Sequence, residues 1–137
     1  MTMSFHEKSL WLMSVSLFGF ALFYFGTTLP TATDDVLPRH IAKLVLAIVV
    51  MVLIQIAGHI AIALVDRRTE TDERDRLIGL MGTRNGAYVL ATGVFMALCA
   101  ALVTKGNFTF THVLLGAWVL AQLVEFGTQL LLQRRGV

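Results

Sequence analysis

Four apolar stretches, at residues 10–28, 41–65, 85–104 and 111–132, take up most of the chain, and a dense polar run at 66–76 divides them into two pairs. About 20 mostly apolar residues suffice to cross a hydrocarbon layer of about 30 Å as a helix, so each stretch is long enough to span. Residues 44–54 read LVLAIVVMVLI and are apolar on every face, whereas a helix on the surface of a soluble domain carries an apolar stripe. One such segment could be the buried centre of a large soluble protein, but four in one short chain leave nothing to cover them. Charge decides between the two: 15 % of residues are charged, against about 25 % in soluble domains. Backbone groups in lipid must be satisfied within the segment, which favours helices over open strands. The long runs without polar alternation exclude a barrel. The expected fold is therefore all-α: a polytopic up-down four-helix transmembrane bundle, one domain over residues 1–137.

The first apolar stretch follows a short polar start with Lys8, but it is longer than the apolar core of a secretory signal and is expected to stay as the first span. Cys99 is the single cysteine, so neither an internal disulfide nor a cysteine metal cluster can form. Lys and Arg collect on the cytoplasmic side of membrane proteins. Lys8, Arg67, Arg68, Arg74, Arg76, Arg84, Arg134 and Arg135 share one side, and Arg39, Lys43 and Lys105 the other. Both termini and the segment 66–84 are thus expected in the cytoplasm, with the connections 29–40 and 105–110 outside. Trp11, Tyr88, Phe108 and Phe110 suit interfacial positions. The net charge of +2 reads as orientation charge rather than a nucleic-acid surface, because the central basic residues alternate with Asp66, Glu70, Asp72, Glu73 and Asp75.

In the central segment, Thr69 followed by Asp72 fits a capping box, and Asp72 suits the positive end of a helix. A helix there would place Asp72 and Arg76 four apart, with Leu77, Ile78, Leu80 and Met81 against the membrane surface. Gly82 and Gly86 have the GxxxG spacing that lets helices approach closely. The segment reads as a solvated loop with orientation charge, or as a docking surface for a partner through Asp72, Glu73, Arg74 and Asp75. A metal site there is disfavoured by the crowding arginines and by the lack of histidine.

These charged residues, with the third span opening Arg84-Asn85-Gly86-Ala87-Tyr88-Val89-Leu90, resemble a family of small bacterial four-span inner-membrane proteins of unknown function that carry a DERD- or DERE-type loop. The start Ser4-Phe5-His6-Glu7-Lys8-Ser9 is similar to that family's N-terminus. Ala121-Gln122-Leu123-Val124-Glu125 and Leu131-Leu132-Gln133-Arg134-Arg135-Gly136 are similar to its fourth span and basic tail, with Gln133 in place of an expected aromatic residue. The resemblance covers nearly the whole chain. It implies a bacterial inner-membrane protein, associated with small helix-turn-helix regulators, and brings no catalytic residues with it.

Polar residues inside apolar spans mark function or assembly. Glu125 lies about 13 Å of helix before Arg134, and His59 about 10 Å before Asp66, at about 1.5 Å per residue. The two are expected to share a depth and to form an intramembrane pair across the second and fourth spans. Gln122 and Gln129 extend Glu125 into a polar stripe, and Gln55 lies one turn from His59. Glu125 could serve as a structural hydrogen-bonding group, an oligomer or partner contact, or part of a proton relay. His40 and His112, near the outer ends of the second and fourth spans, are a weaker metal or haem pair lacking a third ligand.

The sequence holds no HExxH, glycine-rich phosphate loop, CxxC or nucleophile elbow. It is expected to be neither an enzyme nor a cofactor protein, and not to bind nucleic acid directly. The reading that fits the whole pattern is an accessory or regulatory membrane protein, acting through a homo-oligomer or a membrane-protein partner. The alternative is an oligomeric ion or small-molecule transporter using polar residues of the second and fourth spans.

Overall fold

A computed structural model describes residues 3–66 and 72–136. These residues form four long helices: α1 (Phe5–Thr28), α2 (Pro38–Val65), α3 (Glu73–Val103) and α4 (Phe108–Arg135), with a single 3-10 turn, Leu29–Thr31, after α1. Each is long and apolar enough to cross a membrane, and the chain is a multi-pass membrane protein. The termini lie at one end of the molecule, here called the terminal end. The α1–α2 and α3–α4 connections lie at the other, the hairpin end.

Local chemistry sets the boundaries. Ser4 starts α1 by accepting the Glu7 amide at 3.1 Å, and the turn containing Pro30 stops it. Leu37 caps α2 with Pro38 in the first turn, where a missing N–H costs nothing. Asp72 caps α3 by accepting the Asp75 amide at 2.7 Å. Gly136, with φ of 72°, closes α4 in the left-handed region, and Arg134 and Arg135 suit the negative end of its dipole. Three threonines donate their hydroxyls to carbonyls one turn back: Thr27 to Phe23, Thr92 to Tyr88 and Thr104 to Ala100. Such back-bonding satisfies a hydroxyl in lipid without a second helix.

Two expectations need correction here. The helix that carries the third span begins at Glu73 rather than Asn85, and residues 73–84 are helix rather than loop. Asp72 starts a helix that runs unbroken through Gly79, Gly82 and Gly86 into the apolar stretch, with α4 packed against it at Gly82 and Gly86. Arg84, exposed on this helix, marks where the apolar layer begins. From Arg84 to Val103 is about 29 Å at about 1.5 Å per residue, close to a hydrocarbon thickness of about 30 Å. Residues 73–83 are thus helix beyond what that thickness requires. The expected Thr69 cap lies outside the described residues.

The helices pack as a row, α2–α1–α4–α3. The α1 helix packs on α2 and α4, α3 packs on α4, and no backbone approach joins α2 to α3 among the described residues. Leu17, Phe20 and Tyr24 of α1, Ala47 of α2 and Val119 of α4 form the buried core, with Leu44, Met51, Leu115 and Phe126 against it. The α3–α4 seam is made by small residues. A Cβ at Gly82 would lie 2.7 Å from the Glu125 carbonyl oxygen, one at Gly86 would lie 3.0 Å from that of Ala121, and Gly93 abuts Ala117. The GxxxG spacing thus brings two backbones together.

The two hairpins also clasp at their turns. The Phe108 amide donates to the Asp34 carbonyl at 3.1 Å and the Asn107 amide to Asp35 Oδ1 at 3.2 Å. The Val36 amide donates to Asn107 Oδ1 at 2.7 Å. Gly106, with φ of 69°, lets the backbone pass against Asp34.

Candidate functional site

The polar side chains gather at two levels. At the terminal end, α1 is fastened to both neighbours. Lys8 pairs with Asp66 at 3.5 Å, and Arg134 with Glu7 at 3.8 Å, its guanidinium 5.5 Å from the Trp11 ring centroid. His6 Nε2 lies 3.3 Å from Gln129 Oε1. Arg74 donates to the Gln133 carbonyl at 3.0 Å, and the Gln133 amide donates to Asp75 Oδ1 at 2.7 Å. Partly exposed ion pairs of this kind contribute about 0–1 kcal/mol each, so their main effect is to fix register.

One turn deeper lie the residues singled out from sequence. His59 Nδ1 donates to its own helix at Gln55 O, 2.7 Å away, which leaves Nε2 to accept the Ser9 hydroxyl at 2.7 Å. Glu125 Oε1 accepts the Thr83 hydroxyl at 3.0 Å, and Asn85 donates to Thr128 at 3.2 Å beside it. Glu125 is one turn deeper than Gln129 and Ser9 about one turn deeper than His6, so His59 and Glu125 share a depth. They do not pair. The α1 helix stands between α2 and α4 at this level, and each residue bonds to the helix beside it. Because Thr83 adjoins Arg84, the level is also the edge of the apolar layer rather than its interior. Gln55 donates to Ser16 at 3.0 Å, still deeper in the α1–α2 seam.

The charged motif 72–75 divides in the same way: Asp72 caps α3, while Arg74 and Asp75 hold Gln133 of α4. Glu73 and Arg76 are exposed and keep their charges available at the tip of the α3–α4 projection.

The second level is the hairpin end, where His40, His112, Tyr24, Phe25 and Phe108 form an aromatic cluster. His40 is fully buried, and Tyr24, His112 and Phe108 nearly so. His112 Nδ1 donates to the Phe108 carbonyl at 2.8 Å, so its Nε2 accepts the Tyr24 hydroxyl at 2.8 Å. Tyr24 and His112 stack with centroids 5.5 Å apart, and Phe108 lies 4.1 Å from His112. The His40 ring sits edge-on, 5.2 Å from Phe108 and 6.4 Å from His112. His40 Nδ1 accepts the Leu37 amide at 3.0 Å, closing the first turn of α2 as a capping-box residue does.

These roles speak against joint metal ligation by His40 and His112. The two rings come together as the sequence suggested, but His40 Nδ1 is already an acceptor and His112 Nε2 already takes the tyrosine proton. A neutral histidine has one acceptor nitrogen. Among the described residues no group of three or more His, Cys, Asp or Glu could hold a metal ion.

The capping role of His40 was missed because the second span was expected to begin at Ile41. Pro38 was the available signal: as the first helical residue it makes His40 the third, the position from which a side chain reaches back to the cap.

Compared with known proteins, the chain matches no family model, no curated protein and no solved structure. The candidate site therefore rests on its geometry.

Proposed function

We propose that the chain is a bacterial inner-membrane accessory or regulatory protein that acts by contact with a partner, with both termini and residues 66–84 in the cytoplasm. The observation that carries this reading is the use made of the polar side chains near and within the apolar layer. Ser9–His59, Ser16–Gln55, Thr83–Glu125, Asn85–Thr128 and Tyr24–His112 each fasten one helix to its neighbour. They are joints rather than a file of groups leading across the layer. Glu73 and Arg76, among the exposed charges at the terminal end, stand on a helical projection and suit electrostatic recognition of a protein surface. Orientation follows the excess of Lys and Arg on that side. Reporter fusions after Gly136 and within 31–36 should report opposite compartments, and the same compartment for both would refute the topology.

The contact surface is tested by reversing Glu73 and Arg76 together (Glu73→Lys with Arg76→Glu), which leaves the Asp72 cap and both Gln133 contacts in place. Cross-linking in native membranes should lose the partner captured by the wild type, whereas unchanged capture refutes docking at this projection. Liposomes containing the purified protein should show no specific ion or solute flux. A flux abolished by Glu125→Gln would favour the oligomeric transporter instead.

A further inference from the structure

We propose that His40 is an acid-sensitive latch on the first turn of α2: protonating its ring removes the acceptor that caps the helix and releases this end of α2 from the hairpin-end cluster. The argument begins with the hydrogen bond from the Leu37 amide to His40 Nδ1 at 3.0 Å. A nitrogen that accepts an N–H carries no proton, so the ring is neutral in this state and its proton is on Nε2. An imidazolium has N–H groups at both positions. On protonation, Nδ1–H would face the Leu37 N–H, donor against donor, and the cap could not persist.

The surroundings offer the cation no carboxylate partner. His40 is fully buried, and the Thr31 carbonyl lies beside the ring, yet Nε2 completes no hydrogen bond, and neither does the buried Thr28 hydroxyl. The titratable and charged groups that bear on the ring are Arg39 and Lys43 from α2 and His112 from α4. The first two are cationic. His112 holds the Tyr24 hydroxyl of α1 and lies T-shaped to His40 across 6.4 Å. Asp34 and Asp35, in the preceding turn, are engaged with Phe108 and Asn107. A buried charge without a partner is strongly disfavoured, so proton uptake must be coupled to exposure of the ring. The first turn of α2 lies outside the α1–α2–α4 core, which begins one turn later at Leu44 and Ala47, between two ties that do not involve His40: Val36 to Asn107 before it and Lys43 to the Thr27 carbonyl after it. The moving element is thus the first turn of α2 between those ties, and the capping bond within it is the one the proton removes.

The test is site-resolved hydrogen exchange on the protein in lipid nanodiscs, which expose both faces to the buffer. After correction for the intrinsic pH dependence of exchange, the amides of residues 37–43 in the wild type should exchange about fivefold to thirtyfold faster at acid pH than at neutral pH, as loss of a cap costing about 1–2 kcal/mol requires. His40→Gln keeps an acceptor at the same place but does not titrate, so its protection should be equal at the two pH values. Leu37→Pro removes the donor and leaves His40 intact. Its exchange should already be fast at neutral pH and should not rise further. His112→Gln should keep the acid step. Wild-type protection that does not change with pH overturns the proposal. So does an acid step that survives in His40→Gln or Leu37→Pro, or one abolished in His112→Gln while the fold is retained. If His40→Gln fails to fold, the wild-type profile and Leu37→Pro decide between the same outcomes.

Discussion

Gly82→Ala and Gly79→Ala place the same methyl group on the same helix three residues apart, and the structure assigns them opposite effects. At Gly82 the new Cβ would meet the Glu125 carbonyl oxygen and the Gln129 side chain at 2.7 Å, whereas at Gly79 nothing lies within 4 Å. The Gln129 side chain can turn aside, but the carbonyl belongs to the backbone of α4. Ordinary contact would require the helices to part by roughly 0.8 Å, given a contact distance of about 3.5 Å. Overpacking of this kind costs about 1–3 kcal/mol, and parting the seam also stretches the Thr83–Glu125 bond next to it. Exchanging Gly for Ala in a helix gains up to about 1 kcal/mol. Gly79→Ala should therefore be neutral or stabilising, and Gly82→Ala should fall about 1–3 kcal/mol below it. Reversible unfolding in mixed micelles, followed by circular dichroism, measures the difference. Equal stability of the two variants would refute the close α3–α4 seam. A less stable Gly79→Ala would mean that α3 meets another helix on the face left open here.

Asp72→Ala should cost about 1 kcal/mol through the α3 cap, seen as faster amide exchange confined to the first turn of α3. Glu125→Gln keeps an acceptor for Thr83 and should leave stability within about 0.5 kcal/mol of the wild type, while Thr83→Val should cost about 1 kcal/mol in the same unfolding assay. Ser9→Ala should cost a similar amount by leaving His59 without its partner on α1. Combined with Thr83→Val it should be additive within about 0.5 kcal/mol, as expected of independent sites. A larger coupling energy would mean that His59 and Glu125 communicate across α1 after all.

Hydropathy was enough to find four spans, because a helix apolar on every face has few other places to be. It could not order them. The outer helices α2 and α3 are the more apolar pair and the middle helices α1 and α4 the less apolar, but that grading does not say which neighbour each helix takes, and nothing in the spacing of Val, Leu and Ile does either. The depth of His59 and Glu125 was legible from their distances to flanking charges. Their partners were not, since depth is a property of one helix and pairing a property of two. Gly82 and Gly86 announced a close approach, but only the packing shows that α4 makes it. Asp72 was legible as a residue near a helix start, expected three places after a Thr69 cap and found as the cap itself, yet the length of α3 was underestimated because its charged first turns and its apolar remainder looked like separate segments. At the hairpin end, Pro38 set the frame in which His40 becomes a cap, and that frame was displaced by starting the span at the first apolar residue instead.

The clasp between the two turns has a consequence for the order in which the molecule comes into being. Val36 and Asn107 are 71 residues apart, so at about 5–20 residues per second the ribosome needs on the order of ten seconds to supply the second half of the clasp after the first has been made. Until then, the Val36 amide and the Asp34 and Asp35 oxygens face water, and the α1–α2 hairpin waits with an unfinished rim. Arrival of α4 supplies Asn107 to that rim and Val119 to the core on the same helix. A nascent chain stalled before Asn107 is thus chemically distinct from a finished one at a surface patch of a few residues, and a quality-control factor could read the difference there without probing the interior.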